Sequence, residues 1–184
     1  VVDDEGFAWG DRPTALRPPI EATACEPGTV TEIHPQAEAF VRTLAERLQR
    51  GAAFFLDYGF PEHEYYHPQR VQGTLMCHRA HRVDSDPLAD VGLKDITAHV
   101  NFSGVALAGQ AAGLDVLGYT SQARFLLNCG LPALLLEADA RTRADAQKLI
   151  HEHEMGELFK VIGFARGMAF EALGFQAGDR SHTL

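Results

Sequence analysis

One apolar run constrains the fold of this chain more than any other segment. Residues 51–59 read Gly-Ala-Ala-Phe-Phe-Leu-Asp-Tyr-Gly, a continuous apolar stretch bounded by glycines. Such a run is typical of a parallel strand that is buried on both faces. The strand would deliver Asp57 and Tyr58 at its carboxyl end, and open α/β sheets bind ligands at that edge. The run therefore predicts an α/β fold with a candidate site at Asp57.

No glycine-rich turn accompanies this strand. Nowhere in the sequence does a strand-like run lead through Gly-x-Gly into a helix, the turn with which nucleotide-type sites hold their ligand. The chain also starts with Val1 and Val2, without an initiator Met or a signal-peptide pattern. We therefore expect the chain to begin inside a longer protein, with half of a nucleotide-type site outside it.

Composition narrows the class of protein. The 184 residues carry a net charge of −9, which argues against non-specific nucleic-acid binding because that requires clustered Lys and Arg. No apolar stretch approaches the roughly 20 residues that span a bilayer. The three cysteines are widely spaced and fit thiols in a reducing compartment better than a disulfide framework or a zinc site. We expect a protein of the bacterial cytoplasm.

The apolar run follows the clearest helix of the sequence. Apolar residues recur at helical spacing from Ala37 to Leu48, with Pro35 near the start and Gly51 just past the end. Helix, glycine and buried strand together predict an αβ unit of a doubly wound sheet. Further strands are predicted in residues 1–9, 29–33, 73–79, 114–119 and 157–164, and further helices after Asn101, Gln122 and Thr142.

A second group of polar residues precedes the helix at Asn101. A histidine such as His99, beside a carboxylate such as Asp95, is able to act as a general base. The alternative is a structural role, with Asn101 or Ser103 as the N-cap of the helix. For the Asp57 segment the alternative is a strand end that turns, with Gly59 supplying a positive φ. The sequence leaves both alternatives open.

The histidine-rich segments do not predict a metal site. In residues 151–154 the two histidines lie two positions apart, so on a helix they would face different directions, and no His-Glu-x-x-His motif is present. The loop that contains His63 and His67 predicts a surface or interdomain contact. We expect no bound metal, and a metal-dependent hydrolase that uses His63, His67 or His99 is the least supported alternative.

Taken together, several segments resemble one family over roughly residues 30 to 165, in order. They are FLDYG (55–59), EYYHPQR (64–70), GTLMCHRAH (73–81), DPL (86–88), DITAHVNFS (95–103), TSQARFLLNCG (120–130) and MGELFKVIGF (155–164). This succession resembles the carboxyl-terminal half of the MidA family. These are class I S-adenosylmethionine-dependent methyltransferases that include the mitochondrial complex I assembly arginine methyltransferase.

The resemblance implies a division of the site between two halves of a polypeptide. S-adenosylmethionine would be held by a glycine-rich loop and acidic residues outside this chain, so no cofactor-binding residue is expected here. Asp57 and His99 are the implied catalytic residues on the acceptor side. Asn101 stands where many members would have Asp. The implied substrate-binding residues are Tyr58, Gly59, Arg70, Asp95, Thr97, Asn101 and Gln122.

The resemblance also implies the fold and the domain organisation. Residues 1–34 would be an insertion of strand and loop, 35–167 the carboxyl-terminal half of a Rossmann-like methyltransferase domain with helical and β insertions, and 168–184 a frayed tail. The strands at 52–57, 114–119 and 157–164 would be the fifth, sixth and seventh, the last antiparallel and placed between the other two. Without the first four strands, a large apolar sheet edge would be exposed.

The expected activity is methylation of a protein side chain such as arginine. The resemblance implies three kinds of partner: a protein substrate such as a respiratory complex subunit, the missing amino-terminal half, and a second copy of the chain. The alternative function is a non-catalytic assembly or binding module that uses the methyltransferase fold as a docking surface.

Overall fold

The structure is a computed structural model that describes residues 2–3, 6–21, 25–80 and 82–184. The chain divides into two compact units. The first unit comprises Val1–Ile33 and Tyr66–His99, and the second comprises His34–Tyr65 and Val100–Leu184. No helix among the described residues is long and apolar enough to cross a membrane.

The second unit contains a four-stranded mixed sheet. Its strands are β3 (Gly51–Phe60), β7 (Val100–Asn101), β8 (Asp115–Ser121) and β9 (Phe159–Arg166), in the order β7-β3-β9-β8. Its helices are α1 (Pro35–Arg47), α2 (Glu62–Tyr65), α3 (Phe102–Ala111), α4 (Gln122–Asn128), α5 (Leu131–Leu134), α6 (Ala140–Ile150) and α7 (Met155–Leu158). The fold is α/β, as the sequence predicts.

Strand β9 lies between β3 and β8 and runs antiparallel to both. This placement confirms the predicted order of the last three strands. Paired on both sides, β9 is the buried centre of the sheet, and Val161, Ile162, Phe164 and Ala165 are each 0% exposed. An antiparallel strand inserted between two earlier strands needs a long connection, which α4 to α7 provide.

The predicted full burial of β3 is wrong for this chain. Phe54 is 41% exposed and Leu56 is 49% exposed, although Phe55 between them is half-buried. The physical reason is pairing: β3 pairs with β9 through residues 51–58, whereas the other register found among the described residues is that of Gly59 and Phe60 with β7. An apolar strand that has a neighbour on one side only leaves its side chains partly open to solvent.

One face of the sheet carries α1 and α3. The buried cluster on this face includes Val41 and Ala45 of α1, Phe102 of α3, and Ile162 and Phe164 of β9. Helix α3 is capped by Asn101, whose side chain accepts a hydrogen bond from the Gly104 amide at 3.2 Å. The helical spacing of α1 is confirmed, but Phe40 is 60% exposed.

The other face carries α4 and the carboxyl-terminal segment. Phe175 is buried there beside the rings of Phe54 and Phe125. The Tyr119 amide donates to an Asp179 carboxylate oxygen at 2.9 Å, and Thr120 Oγ1 donates to the Gly178 carbonyl at 2.7 Å. The expectation of a frayed tail is therefore wrong, because residues 172–184 pack onto this face and along β8.

The first unit contains a hairpin of β1 (Val2–Asp3) and β2 (Gly6–Phe7) and a sheet of β4 (Met76–Arg79), β5 (Arg82–Asp84) and β6 (Asp95–Thr97) in the order β5-β4-β6. The predicted strand at 29–33 is a single bridge between Val30 and Gln72. The Glu32 carboxylate accepts hydrogen bonds from the amides of Thr74 and Leu75 and closes this unit. Of the predicted strand at 1–9, residues 1, 4 and 5 lie outside the described residues.

Candidate acceptor site at the carboxyl edge of β3

Asp57, Tyr58 and Gly59 lie at the carboxyl end of β3, as the apolar run predicts. An Asp57 carboxylate oxygen accepts a hydrogen bond from the Tyr58 amide at 2.8 Å, and the side chain is exposed. The Tyr58 ring lies edge-on to Phe159 with a centroid distance of 5.4 Å. Asp57 therefore presents a solvent-accessible carboxylate with its orientation partly fixed.

Gly59 has a packing role in this structure. The proposed positive φ is not found, since Gly59 is not among the glycines with left-handed backbone. Instead, a Cβ at this position would collide with the carbonyl oxygen of Val100 and with the ring of Phe102. Glycine is needed because β7 and the start of α3 approach the backbone of β3 closely. This contact accounts for the glycine without a ligand.

A groove of about 330 Å³ opens beside Asp57. Its walls are mostly apolar and come from α1, β3, β7 and α3 of the second unit. The polar side chains at its rim are His34, Gln36 and Asp57. The other lining residues are Ala37, Phe40, Val41, Phe55, Val100, Phe102 and Val105.

A hydrogen-bonded group connects the end of β3 to the start of α3. The Asn101 amide nitrogen donates to a Glu62 carboxylate oxygen at 3.3 Å, and the Glu62 backbone amide donates to Ser103 Oγ at 2.8 Å. Asn101 thus both caps α3 and orients the Glu62 carboxylate. Sequence reasoning placed Asn101 and Ser103 at the helix start but missed Glu62, for which the only signal is its position two residues after β3.

A second polar group lies where β8 and β9 meet α7. Lys160 is only 8% exposed, and burial, the largest cause, lowers the pKa of its ammonium. Its Nζ donates to the Glu157 carbonyl. Burial raises the pKa of the Glu157 carboxyl, but hydrogen bonds from Ser121 and Arg180 outweigh it, so the net pKa is lowered.

The side chain of Tyr119 is buried next to this polar group. It is 1% exposed, its ring packs against Phe102 at 5.2 Å, and its hydroxyl has no hydrogen-bond partner among the described residues. Burial is the largest cause that raises the pKa of its phenol. Tyr119, Glu157 and Lys160 are not among the site residues predicted from the sequence. The signal for Lys160 is a cation inside the apolar run 157–164.

Gln122 has a structural contact in the second unit. It is buried at the start of α4, and its Nε2 donates to the Leu149 carbonyl of α6 at 2.8 Å. Its predicted role in substrate binding stays a prediction.

The remaining predicted residues belong to the first unit. Asp95 and Thr97 lie on β6, where Thr97 Oγ1 donates to the Met76 carbonyl at 3.3 Å. The His99 amide donates to Thr74 Oγ1 at 3.0 Å, and Arg70 lies in the loop before β4. Asp57 and His99 therefore fall in different units, and their joint catalytic role stays a prediction.

The described residues do not build a cradle for a nucleotide-type methyl donor. Their strand-to-helix junctions run from β3 through Pro61 into α2, from β7 directly into α3 and from β8 directly into α4, and none contains Gly-x-Gly. Such a cradle depends on backbone amides exposed by a glycine-rich turn. Nor do the described residues contain a group of three or more His, Cys, Asp or Glu side chains able to hold a metal ion.

Comparison with known proteins identifies the family of this chain. Residues 3–120 match the model of a family described as "Putative S-adenosyl-L-methionine-dependent methyltransferase". The chain belongs to this methyltransferase family. Among curated proteins, none matches the chain.

Two crystal structures of Burkholderia thailandensis proteins resemble this member of the methyltransferase family over its whole length. One is an uncharacterized protein with 53% sequence identity and a TM-score of 0.89. The other, bound to S-adenosyl-homocysteine, has 56% identity and a TM-score of 0.90. The chain covers 52% and 50% of these two proteins, so it spans about half their length. The family is thus one of S-adenosylmethionine-dependent methyltransferases, and this chain matches about half of each solved fold.

Proposed function

We propose that the polypeptide to which this chain belongs transfers a methyl group from S-adenosylmethionine to a protein side chain, with arginine as the acceptor. The observation that carries the proposal is the relative crystallised with S-adenosyl-homocysteine, which is 56% identical over all of this chain. S-adenosyl-homocysteine is the product that remains when the donor has lost its methyl group.

In this proposal the chain supplies the acceptor side of the site. Methyl transfer requires alignment of the accepting atom and exclusion of water rather than covalent help from the protein. A guanidinium is oriented best by carboxylates that accept two parallel hydrogen bonds. Asp57 and Glu62 are the carboxylates at the carboxyl end of β3, and Asn101 orients Glu62. The proposed acceptor is therefore a cation.

The finer assignments follow the resemblance to the MidA family. We propose a respiratory complex subunit as the protein substrate, in the reducing cytoplasm of a bacterium. The net charge of −9 favours a basic acceptor segment. Tyr58, Arg70, Asp95 and Thr97 are proposed to contact the substrate around the acceptor. Likewise, His99 is proposed as the general base, which would take the proton that the methylated nitrogen releases.

The test uses the complete polypeptide. Asp57→Asn and His99→Ala are each expected to lower methyl transfer to an arginine peptide about tenfold, equivalent to about 1.4 kcal/mol. Radiolabelled methyl transfer gives the rate, and calorimetry with S-adenosyl-homocysteine gives donor affinity, which should not change. Asp115→Asn is the matched control. Asp115 is exposed and is the first residue of β8, at the end of the sheet away from Asp57.

Two results would overturn the proposal. A complete polypeptide that binds no S-adenosyl-homocysteine would remove the methyltransferase activity and leave the assembly module as the better hypothesis. Donor binding with unchanged transfer in both variants would remove Asp57 and His99 from the acceptor side.

A further inference from the structure

Residues 178–180 lie along β8 and carry an arginine to its carboxyl end. The Arg180 amide donates to the Tyr119 carbonyl at 2.6 Å, and the Tyr119 amide donates to an Asp179 carboxylate oxygen at 2.9 Å. These two bonds fix the backbone of Arg180 beside β8. The side chain of Arg180 is then within reach of Glu157, which precedes β9 in α7.

The Arg180 guanidinium binds the Glu157 carboxylate at two points. Its Nη1 donates to Glu157 Oε2 at 3.1 Å, and its Nη2 donates to Oε1 at 3.4 Å. The pair of Arg79 with Asp90, by contrast, joins one nitrogen to one oxygen. Two-point binding is the geometry by which a carboxylate recognises a guanidinium. The side chains of Arg180 and Glu157 are 44% and 41% exposed, so a guanidinium from another chain can compete for Glu157.

Glu157 lies at the same edge of the sheet as Asp57. The Ser121 side chain makes a hydrogen bond to the Glu157 carboxyl. Lys160 of β9 pairs with Asp57 on one side and with Ser121 on the other. Since neighbouring strands are about 4.8 Å apart, Ser121 lies about 10 Å from Asp57. An extended peptide covers that distance in about three residues.

The polar groups around Glu157 include a buried hydroxyl. Tyr119 is 1% exposed, and its hydroxyl has no hydrogen-bond partner within the described ranges. The charges of Glu64, Glu157 and Arg180 act on this phenol. Because an unpaired buried hydroxyl is costly, this cluster has capacity for a polar group that Arg180 does not supply.

We infer that Glu157 is a subsite for an arginine side chain of the protein substrate, about three residues from the acceptor at Asp57, and that Arg180 fills this subsite in cis. The inference rests on the proposed function, from which it takes the class of substrate. A substrate arginine must displace the Arg180 side chain, so Arg180 lowers the affinity for substrate. Lysine is a poor replacement, since an ammonium lacks the planar fork of a guanidinium.

The experiment measures peptide binding to the complete polypeptide by fluorescence anisotropy, without a methyl donor. The first probe is a labelled glycine peptide with two arginines three positions apart. The second probe has lysine at both positions and therefore the same charge. Arg180→Ala should raise the affinity for the arginine probe at least tenfold and for the lysine probe less than twofold.

Three further variants sharpen the measurement. Arg180→Ala keeps the backbone bonds to Tyr119, and circular dichroism checks its fold. Arg180→Lys keeps the charge as well, and should still raise the affinity for the arginine probe. Glu157→Gln, added to Arg180→Ala, should remove the gain. Arg141→Ala is the matched control, because Arg141 is exposed on α6 and should change neither affinity.

The inference fails if the arginine probe binds wild type and both Arg180 variants equally, if the lysine probe gains as much as the arginine probe, or if the gain survives Glu157→Gln. Each result would reduce the contact between Arg180 and Glu157 to a structural salt bridge. The expected binding by a polypeptide that transfers no methyl group would keep the subsite and count against the proposed function.

Discussion

Strands β3 and β9 are neighbours with similar apolar sequences and very different burial. Residues 52–56 of β3 read Ala-Ala-Phe-Phe-Leu, and residues 161–165 of β9 read Val-Ile-Gly-Phe-Ala. Yet Phe164 is fully buried whereas Phe54 is 41% exposed. The two strands pair with each other over residues 51–58 of β3 and the whole of β9. The difference lies on their other sides, where β9 has β8 and β3 has only the two residues of β7.

In these two strands, whose runs are similarly apolar, the strand with neighbours on both sides is the more deeply buried. Apolar runs in a parallel sheet are selected for burial on both faces. When such a run lies at an open sheet edge, it is more apolar than a partly solvent-exposed strand requires. Phe54, at 41% exposed, and Leu56, at 49% exposed, show this excess.

The largest expected effect is a difference in the free energy of unfolding between a variant of β9 and a variant of β3. Phe164→Ala should reduce the free energy of unfolding by about 3–5 kcal/mol, because it removes a fully buried ring and leaves a cavity. Phe54→Ala should cost about 1–2 kcal/mol, since its ring is partly in solvent and contacts Phe125 and Phe175. Urea unfolding followed by circular dichroism measures both. Equal losses would mean that β3 is not an edge strand in solution.

A smaller effect concerns the carboxyl end of β3, where Gly59 and Phe60 pair with β7 just beyond the residues that pair with β9. Gly59→Ala should destabilise the fold by about 1–3 kcal/mol, because its Cβ would meet the Val100 backbone, which cannot rotate away. Gly104→Ala is the control. Its Cβ would lie 3.3 Å from a Glu38 oxygen, and alanine favours the helix. A neutral Gly59→Ala would mean that the pairing of β3 with β7 is absent in solution.

The sequence predicted the strand order but not the burial of β3. The run 51–59 and the resemblance together located β3, β8 and β9 and the central position of β9. Burial of Phe54 and Leu56 depends on which strands pair with β3, and the residues of the run 51–59 do not report their partners. The tail was mispredicted for a related reason. Its anchors, Phe175 and Asp179, stand among glycines and polar residues without periodicity.

The candidate site was predicted in part. Asp57 was found because the carboxyl end of an apolar strand is a strong positional signal, and Asn101 because asparagine is a good helix N-cap. Glu62 and Tyr119 were missed, since their significance comes from contacts made across the fold. Asn101 is 39 residues from Glu62 in sequence, and the buried hydroxyl of Tyr119 follows from packing against Phe102 rather than from its neighbours in sequence.

The smallest expected effect compares two residues that face each other across the strands, Asp57 on β3 and Lys160 on β9. Asp57 is exposed at the edge, and Asp57→Asn should change stability by less than about 0.5 kcal/mol at neutral pH. Lys160 is buried, and its pKa is lowered in the folded state from 10.5. Between the lowered folded pKa and 10.5, the unfolded chain therefore binds more protons than the folded chain.

By linkage, stability then rises with pH through that window. The wild type should gain stability relative to Lys160→Met as the pH is raised from 7 towards 10, measured by urea unfolding at each pH. Lys148→Met is the control, because Lys148 donates a hydrogen bond to Asp145 that raises the pKa of Lys148, so that its contribution stays constant over this pH range and is lost only above 10.5. If the stability difference between wild type and Lys160→Met did not change with pH, the Lys160 ammonium would be solvated and β9 would be open to solvent at this end. The contrast between β3 and β9 would then not extend to Asp57 and Lys160.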